Sequence, residues 1–284
     1  MKEYILGNYM LGIRQDIGPR ILKFTRKDYP EKNVMGILPD FGIKTEEGLW
    51  HIQGGHRLWS APEATPRSYS LDDKPVKVEA LQEAIKIYGN PEIQNSVQKE
   101  ILIKKSGEDS IEITHKIKNI GRWKIEFACW ALTVMKTGGF AILPIKRGME
   151  GLLPDRNIVL WPYTILSDKR IIINKDIIFL KQDENISAPC KIGVSANPAW
   201  TGYWVDGMLF VKKFFKQKGV YPDNGCSVEV YTNADMLELE TLSVLQQLEP
   251  GETAEHKEVW SINMVPDLSA EQKDFEKKAP GLLT

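Results

Sequence analysis

The chain is patterned in short runs that alternate apolar and polar residues, each broken by Gly, Pro, Asn or Asp. A period of two interrupted by turn formers predicts β-strands rather than helices. Tyr4-Ile5-Leu6 and Ile21-Leu22-Lys23-Phe24 read as strands around a turn at Gly18-Pro19. Ile85-Lys86-Ile87-Tyr88 is a strand ended by Gly89-Asn90-Pro91, and residues 98–104 and 110–118 form a hairpin over Ser106-Gly107-Glu108-Asp109. In its second arm Ile111, Ile113, His115 and Ile117 share one face, with Glu112, Thr114 and Lys116 on the other. Further strands are predicted at 125–135, 140–144, 171–173, 192–194, 208–215, 226–231, 236–242 and 255–264. Only 269–278 carries the capping and charge pattern of a short helix. No repeat, low-complexity tract or linker interrupts this texture. Residues 1–284 therefore read as one all-β domain of two sheets packed face to face.

Composition narrows the possible partners. At 284 residues and 42% hydrophobic, the chain can bury a large core. Lys+Arg 37 against Asp+Glu 38 leaves no basic excess to neutralise a phosphate backbone, which argues against nucleic acid. Cys129, Cys190 and Cys226 lie far apart without a CxxC pair, so neither a disulfide framework nor a structural zinc site is predicted. The four histidines show no HxxxH or HxH spacing, and no dedicated metal site is expected. Residues 1–14 lack the long apolar stretch of a signal peptide. No uncharged apolar run approaches the ~18 residues of a membrane span, so the expectation is a cytoplasmic protein with no membrane partner. A net charge of −1 leaves the oligomeric state open.

Four segments concentrate polar and aromatic residues beyond what turns need. In Trp50-His51-Ile52-Gln53-Gly54-Gly55-His56-Arg57-Leu58-Trp59-Ser60-Ala61-Pro62-Glu63, two glycines allow close backbone approach. His56, Arg57, Trp59 and Glu63 then supply an imidazole, a guanidinium fork, an indole and a carboxylate. The plainer alternative is a glycine bulge with a surface arginine and core tryptophans. Residues 152–164, with Arg156 and Trp161, read as a long ordered loop that either binds a ligand or covers a sheet edge. Asn197-Pro198-Ala199-Trp200-Thr201-Gly202-Tyr203-Trp204 offers aromatic rings that either stack on the C–H face of a sugar or fill the core, and leads into a strand with Lys212 and Lys213. In the fourth, Ser227, Glu229 and Tyr231 alternate against Cys226, Val228 and Val230, and Glu238 and Glu240 against Leu237 and Leu239. A polar face is ordinarily the solvated one, which is the reading for Glu238; Glu229 stands out because its strand is otherwise apolar. His115 reads as a core histidine and His256, in Glu255-His256-Lys257-Glu258, as surface. Cys226 has no cue for thiolate activation.

At Gly54-Gly55-His56-Arg57-Leu58-Trp59-Ser60-Ala61-Pro62-Glu63 the chain resembles an uncharacterised bacterial family of the galactose mutarotase-like (aldose 1-epimerase-like) superfamily. Leu160-Trp161-Pro162-Tyr163, Asn197-Pro198-Ala199-Trp200-Thr201-Gly202-Tyr203 and Leu237-Glu238-Leu239-Glu240-Thr241 extend the likeness over nearly the whole chain. The resemblance implies a β-supersandwich whose concave sheet binds a sugar or oligosaccharide, and a cofactor-independent epimerase or mutarotase of sugars or uronates. In such enzymes a glutamate takes the anomeric proton while a histidine protonates the ring oxygen. Carried over, Glu229 is the base with Glu240 as fallback, and His56 the acid or a ligand group. Arg57 and Lys212 then receive negative charge or hydroxyls, and Trp59, Trp161 and Trp200 stack on the ring. The strand 127–133 lacks the histidine that true mutarotases place there. Two alternatives follow: a non-catalytic sugar-sensing or scaffold module, and a polysaccharide lyase-related protein using Tyr163 or Tyr231 with Arg57.

Overall fold

The alternating runs pair into two large antiparallel sheets in a computed structural model that describes residues 1–148 and 151–282. The first runs Lys2–Leu6, Tyr9–Ile13, Ile21–Arg26, His56–Ala61, Ile125–Met135, Leu237–Leu242, Val228–Thr232, Cys190–Val194 and Ile158–Leu160, with Gln246–Leu248 added alongside Ile125–Met135. The second runs Ile171–Ile173, Ile177–Lys181, Phe140–Pro144, Trp200–Val205, Met208–Phe214, Thr253–Met264, Ile111–Asn119, Val97–Lys105, Ala84–Glu92 and Lys77–Leu81. The expected hairpin is present, with Ile111 opposite Lys105 and Asn119 opposite Val97.

Every strand in these sheets sends alternate residues to opposite faces. Leu11, Phe24, Ile101, Ile113, Phe210, Val228, Leu239 and Trp260 point between the sheets and form the main core. The outer face of the first sheet carries a second, smaller apolar group around Trp50, Trp59, Trp130 and Leu132. The outer face of the second sheet is covered by the helix Gln272–Lys278, whose buried Phe275 lies on Trp200 with ring centroids 5.8 Å apart.

A short hairpin, Ile37–Lys44 with Leu49–Gly54, stands apart from both sheets. Buried Arg20 anchors it, donating from Nη1 to the Ile52 carbonyl at 2.7 Å and pairing through Nε with Asp72 at 2.7 Å. The chain leaves the hairpin and enters the first sheet through Gly54 and Gly55, at φ +82° and +62°. A Cβ at either glycine would lie 2.2 Å from a carbonyl oxygen, of Gly36 or of Ile21. The doublet is therefore what lets Arg57 start its strand directly beneath the hairpin.

Candidate functional site

Strand register gathers a polar row on the outer face of the first sheet. Arg57 lies opposite Leu132, Leu132 opposite Glu240, Glu240 opposite Glu229 and Glu229 opposite Gly193. The neighbouring row runs Val134, Glu238, Tyr231 and Lys191. Directly opposed side chains sit about 4.5–5.5 Å apart at Cβ, so residues distant in the chain become neighbours here.

Two like charges facing each other in a sheet repel, and Glu229 opposite Glu240 is such a pair. Lys191 separates them: its Nζ lies 2.8 Å from Glu229 Oε2 and 3.0 Å from Glu240 Oε2. The Glu240 contact is a hydrogen bond, and the Glu229 contact is a close ion pair off the hydrogen-bonding directions. Burial alone would push the ammonium down, but Glu229 and Glu240 outweigh it and hold Lys191 well above its ordinary value. Burial drives Glu229 well above the usual carboxylate range, Lys191 opposes this and Glu240 adds to it. Glu240 is raised too, again by burial first. One ammonium faces two buried carboxyls, so both are held above the usual carboxylate range, Glu229 the further.

The two cations rest on indoles. Arg57 pairs with Glu238 at 2.8 Å, and its guanidinium lies 4.3 Å from the Trp59 ring centroid and 5.5 Å from that of Trp50. Lys191 Nζ lies 4.7 Å from Trp130 and 4.6 Å from Trp161. Trp130 Nε1 donates to Glu240 Oε2 at 2.7 Å. Trp161 can lie this low because Gly193 is beneath it: a Cβ there would be 3.2 Å from the indole and 2.5 Å from Cys226 Sγ. The Trp161 loop is pinned to the sheet by Thr164, whose Oγ1 donates to the Lys191 carbonyl at 2.7 Å and accepts from the Lys191 N–H at 2.8 Å.

Above this floor is a cleft of about 360 Å³, at the small end of the ~300–1,000 Å³ typical of ligand pockets. Phe41 and Ile43 of the hairpin, Tyr69, Tyr163, Trp161 and Tyr231 wall it. Tyr69 donates its hydroxyl to Glu63 Oε1 and packs on Trp59. Several buried polar atoms have no hydrogen-bond partner: Trp50 Nε1, Arg57 Nε and Nη1, Glu238 Oε1 and Glu240 Oε1. The residues that carry these atoms line the hollow, the atoms themselves are buried at its floor, and Arg57 Nη1 and Glu238 Oε1 face each other as the ion pair.

Of the residues singled out in the sequence, Arg57, Trp59, Glu63, Trp161 and Glu240 line this cleft. Five do not. His56 is next to Arg57 but points to the opposite face, between the sheets, because neighbouring residues of a strand alternate. There it is fully buried, its Nε2 2.7 Å from His115 Nε2 and its Nδ1 2.9 Å from Thr133 Oγ1. Glu229 is on the cleft side but lies beneath Lys191 and Glu240, completely buried. Lys212 is on the second sheet and points into the core, 3.2 Å from Glu258. Trp200 is on the far side of that sheet, under the terminal helix. Arg156 is exposed and donates to the Lys175 carbonyl at 3.2 Å, away from the cleft.

His256 is also inside rather than on the surface. It pairs with His115 in register, and alternation puts Glu255 and Lys257 outward while His256 and Glu258 turn inward. Hydrogen bonding fixes the tautomers. His115 Nδ1 donates to the His256 carbonyl at 3.1 Å, so its bare Nε2 accepts from His56 Nε2–H, and Thr133 donates to His56 Nδ1. His56, His115 and Glu258 place three ligand-type atoms within 4.8 Å of one another. The direct imidazole–imidazole bond and the Lys212 ammonium beside Glu258 already satisfy that cluster from within.

Sequence reasoning missed Lys191, Trp130 and Tyr69, and took Glu238 for a solvated residue. Lys191 had a signal: it is the lone charge in Cys190-Lys191-Ile192-Gly193-Val194, the same cue that drew attention to Glu229. Glu238 had none, since only its ion pair with Arg57 in the folded chain distinguishes it from a surface glutamate.

No family model and no curated protein matches the chain. Solved structures do. A galactose mutarotase-like protein from Lactobacillus casei ATCC 334 superposes with a TM-score of 0.54 at 8% identity, covering 93% of this chain and 100% of that one. A galactose mutarotase related enzyme from Lactobacillus acidophilus gives 0.50 at 9% identity, covering 94% and 99%. A TPR-domain containing protein from Parabacteroides distasonis ATCC 8503 gives 0.62 at 11% identity over 95% of this chain and 48% of its own.

Proposed function

Starting from the galactose mutarotase-like β-sandwich fold that this chain has, we propose that it is a carbohydrate-binding protein whose ligand lies in the cleft between Arg57, Glu238 and Glu240. The observation that carries this reading is an aromatic-walled hollow whose floor holds Glu238, Glu240, Arg57 and Lys191. One sugar ring suits this lining. Its hydroxyls donate to Glu238 and Glu240, while its C–H face lies on an aromatic ring. The hollow suits one ring, so the ligand is a monosaccharide or the end residue of a longer glycan.

The same geometry leaves one route to turnover. Ring opening needs a proton taken from the anomeric hydroxyl and another delivered to the ring oxygen. Glu240 is the cleft carboxylate placed to accept, and the Lys191 ammonium, 3.0 Å from it, is the adjacent donor. An ammonium held so far above neutrality donates reluctantly, and no histidine reaches the cleft: His56, His115 and His256 lie between the sheets and His51 is engaged with Pro39 on the hairpin. That favours binding without rapid turnover, the sensing-module reading. A lyase is less favoured, because burial pushes Tyr163 and Tyr231 up and both cleft cations are already paired with carboxylates.

Titration calorimetry with a panel of hexoses and pentoses tests the reading. Saturable binding is expected, weakened about 10-fold or more in Glu240→Gln, the worth of one charge-assisted hydrogen bond. If no sugar binds the intact protein, the proposal fails. Anomer exchange followed by NMR on whichever sugar binds then decides turnover: exchange faster than buffer alone, and lost in Glu240→Gln, makes the protein an enzyme.

A further inference from the structure

The cleft is unbalanced in charge. Glu63, Glu238 and Glu240 line it and Glu229 lies under its floor, against Arg57 and Lys191 alone among the described lining residues. Neither cation is available to a ligand. Arg57 is held by Glu238 and lies over Trp59, and Lys191 is shared by Glu229 and Glu240 with Trp130 and Trp161 on either side. Acceptors remain where cations do not. Glu240 lines the hollow and its buried Oε1 has no hydrogen-bond partner, and Glu238, whose side chain is 12% exposed there, meets Arg57 through Oε1 at 2.8 Å. Tyr69, Tyr163, Tyr231 and Phe41, whose rings carry negative faces, wall the same cleft.

We propose that the sugar taken by this cleft is cationic, a hexosamine with a free amine, its ammonium held by Glu240 and Glu238. This rests on the carbohydrate reading above and sharpens it. An ammonium supplies the missing counter-charge and donates up to three hydrogen bonds, each charge-assisted and about twice as strong as a neutral hydroxyl's. It also gains from the ring faces nearby. A uronate or sugar phosphate brings a like charge against the carboxylates of Glu63, Glu238 and Glu240, and is rejected. N-acetylation removes the charge and adds bulk, so it costs affinity as well.

Calorimetry on the whole protein at about pH 6.5, where a sugar amine is protonated, tests this. Glucosamine, galactosamine and mannosamine are compared with their parent hexoses, their N-acetyl forms and the matching uronates. At least one free amine is expected to bind about 10-fold or more tighter than its parent and its N-acetyl form, with no measurable uronate binding. In Glu238→Gln the amine is expected to lose more affinity than its parent hexose does, so that the advantage narrows. Should that variant not fold, the wild-type panel carries the test alone. Parent or N-acetyl sugars binding as well as the amine, or a uronate binding better, overturns the amine assignment and leaves the carbohydrate reading standing. If no sugar of any charge binds, the carbohydrate reading itself is lost.

Discussion

Lys191 is the residue on which the cleft floor depends. Fully buried, it cancels the repulsion between two carboxylates that register forces to face each other. Removing one member of a buried ionic group typically costs ~3–5 kcal/mol, because it strands the rest. Lys191→Met is expected to lose that much at pH 7. Without the lysine, Glu229 and Glu240 rise still further, and a carboxyl raised in the folded state loses stability as pH climbs from its unfolded value through the folded one. The variant is therefore closer to wild type near pH 5 than at pH 7, and adding Glu229→Gln restores part of the loss. Urea unfolding at the two pH values measures both; equal deficits at both would contradict this account. At this scale the sequence was partly legible. Arg57, Trp59 and Glu63 stood out because the glycine doublet and dense chemistry marked their segment. Lys191 carried only the cue of a lone charge in an apolar strand and Glu238 carried none, because their roles come from partners that only the folded sheet supplies.

Alternation along an element reveals which residues share a face, but not which sheet the strand joins or what covers it. Trp200 and Lys212 illustrate the difference. Both sit on adjacent strands of the second sheet, where Trp200 opposes Lys213 and Thr201 opposes Lys212. Strict alternation then sends Trp200 outward under the helix and Lys212 inward to Glu258, and neither reaches the cleft. The terminal helix is thus a structural cover rather than part of the site. Phe275→Ala is expected to destabilise the protein by ~3–5 kcal/mol, since it empties a buried ring site against Trp200 and Phe179. Ligand affinity of the folded fraction stays unchanged, which paired calorimetry and urea unfolding would establish; a parallel loss of affinity would mean the helix side communicates with the cleft.

The molecule as a whole buries titratable groups of opposite tendency on the two sides of the first sheet, the inner group shared with the second sheet. Between the sheets, burial pushes His115 down to about 4 and His256 to about 3, and His56 is well below its ordinary value. In the unfolded chain these imidazoles take up protons below about pH 6.5 while the folded protein excludes them. Stability from this cluster is therefore complete above pH 6.5 and falls toward pH 4, at up to ~1.4 kcal/mol per pH unit for each histidine. On the cleft face Glu229 and Glu240 run the other way, because their folded values are raised: their contribution improves as the solution is acidified. Three histidines outweigh two carboxyls, so unfolding free energy drops on acidification, and Glu229→Gln makes the drop steeper. A flat profile between pH 7 and 4.5 would sink this account. The cleft face has one more consequence. Trp50, Trp59, Trp130 and Trp161, half of the eight indoles in the chain, border it. Trp161 is only partly covered and has an ammonium 4.6 Å from its ring. Whatever occupies the hollow changes the polarity and quenching around these fluorophores, so the protein carries its own optical reporter of occupancy, with no label attached.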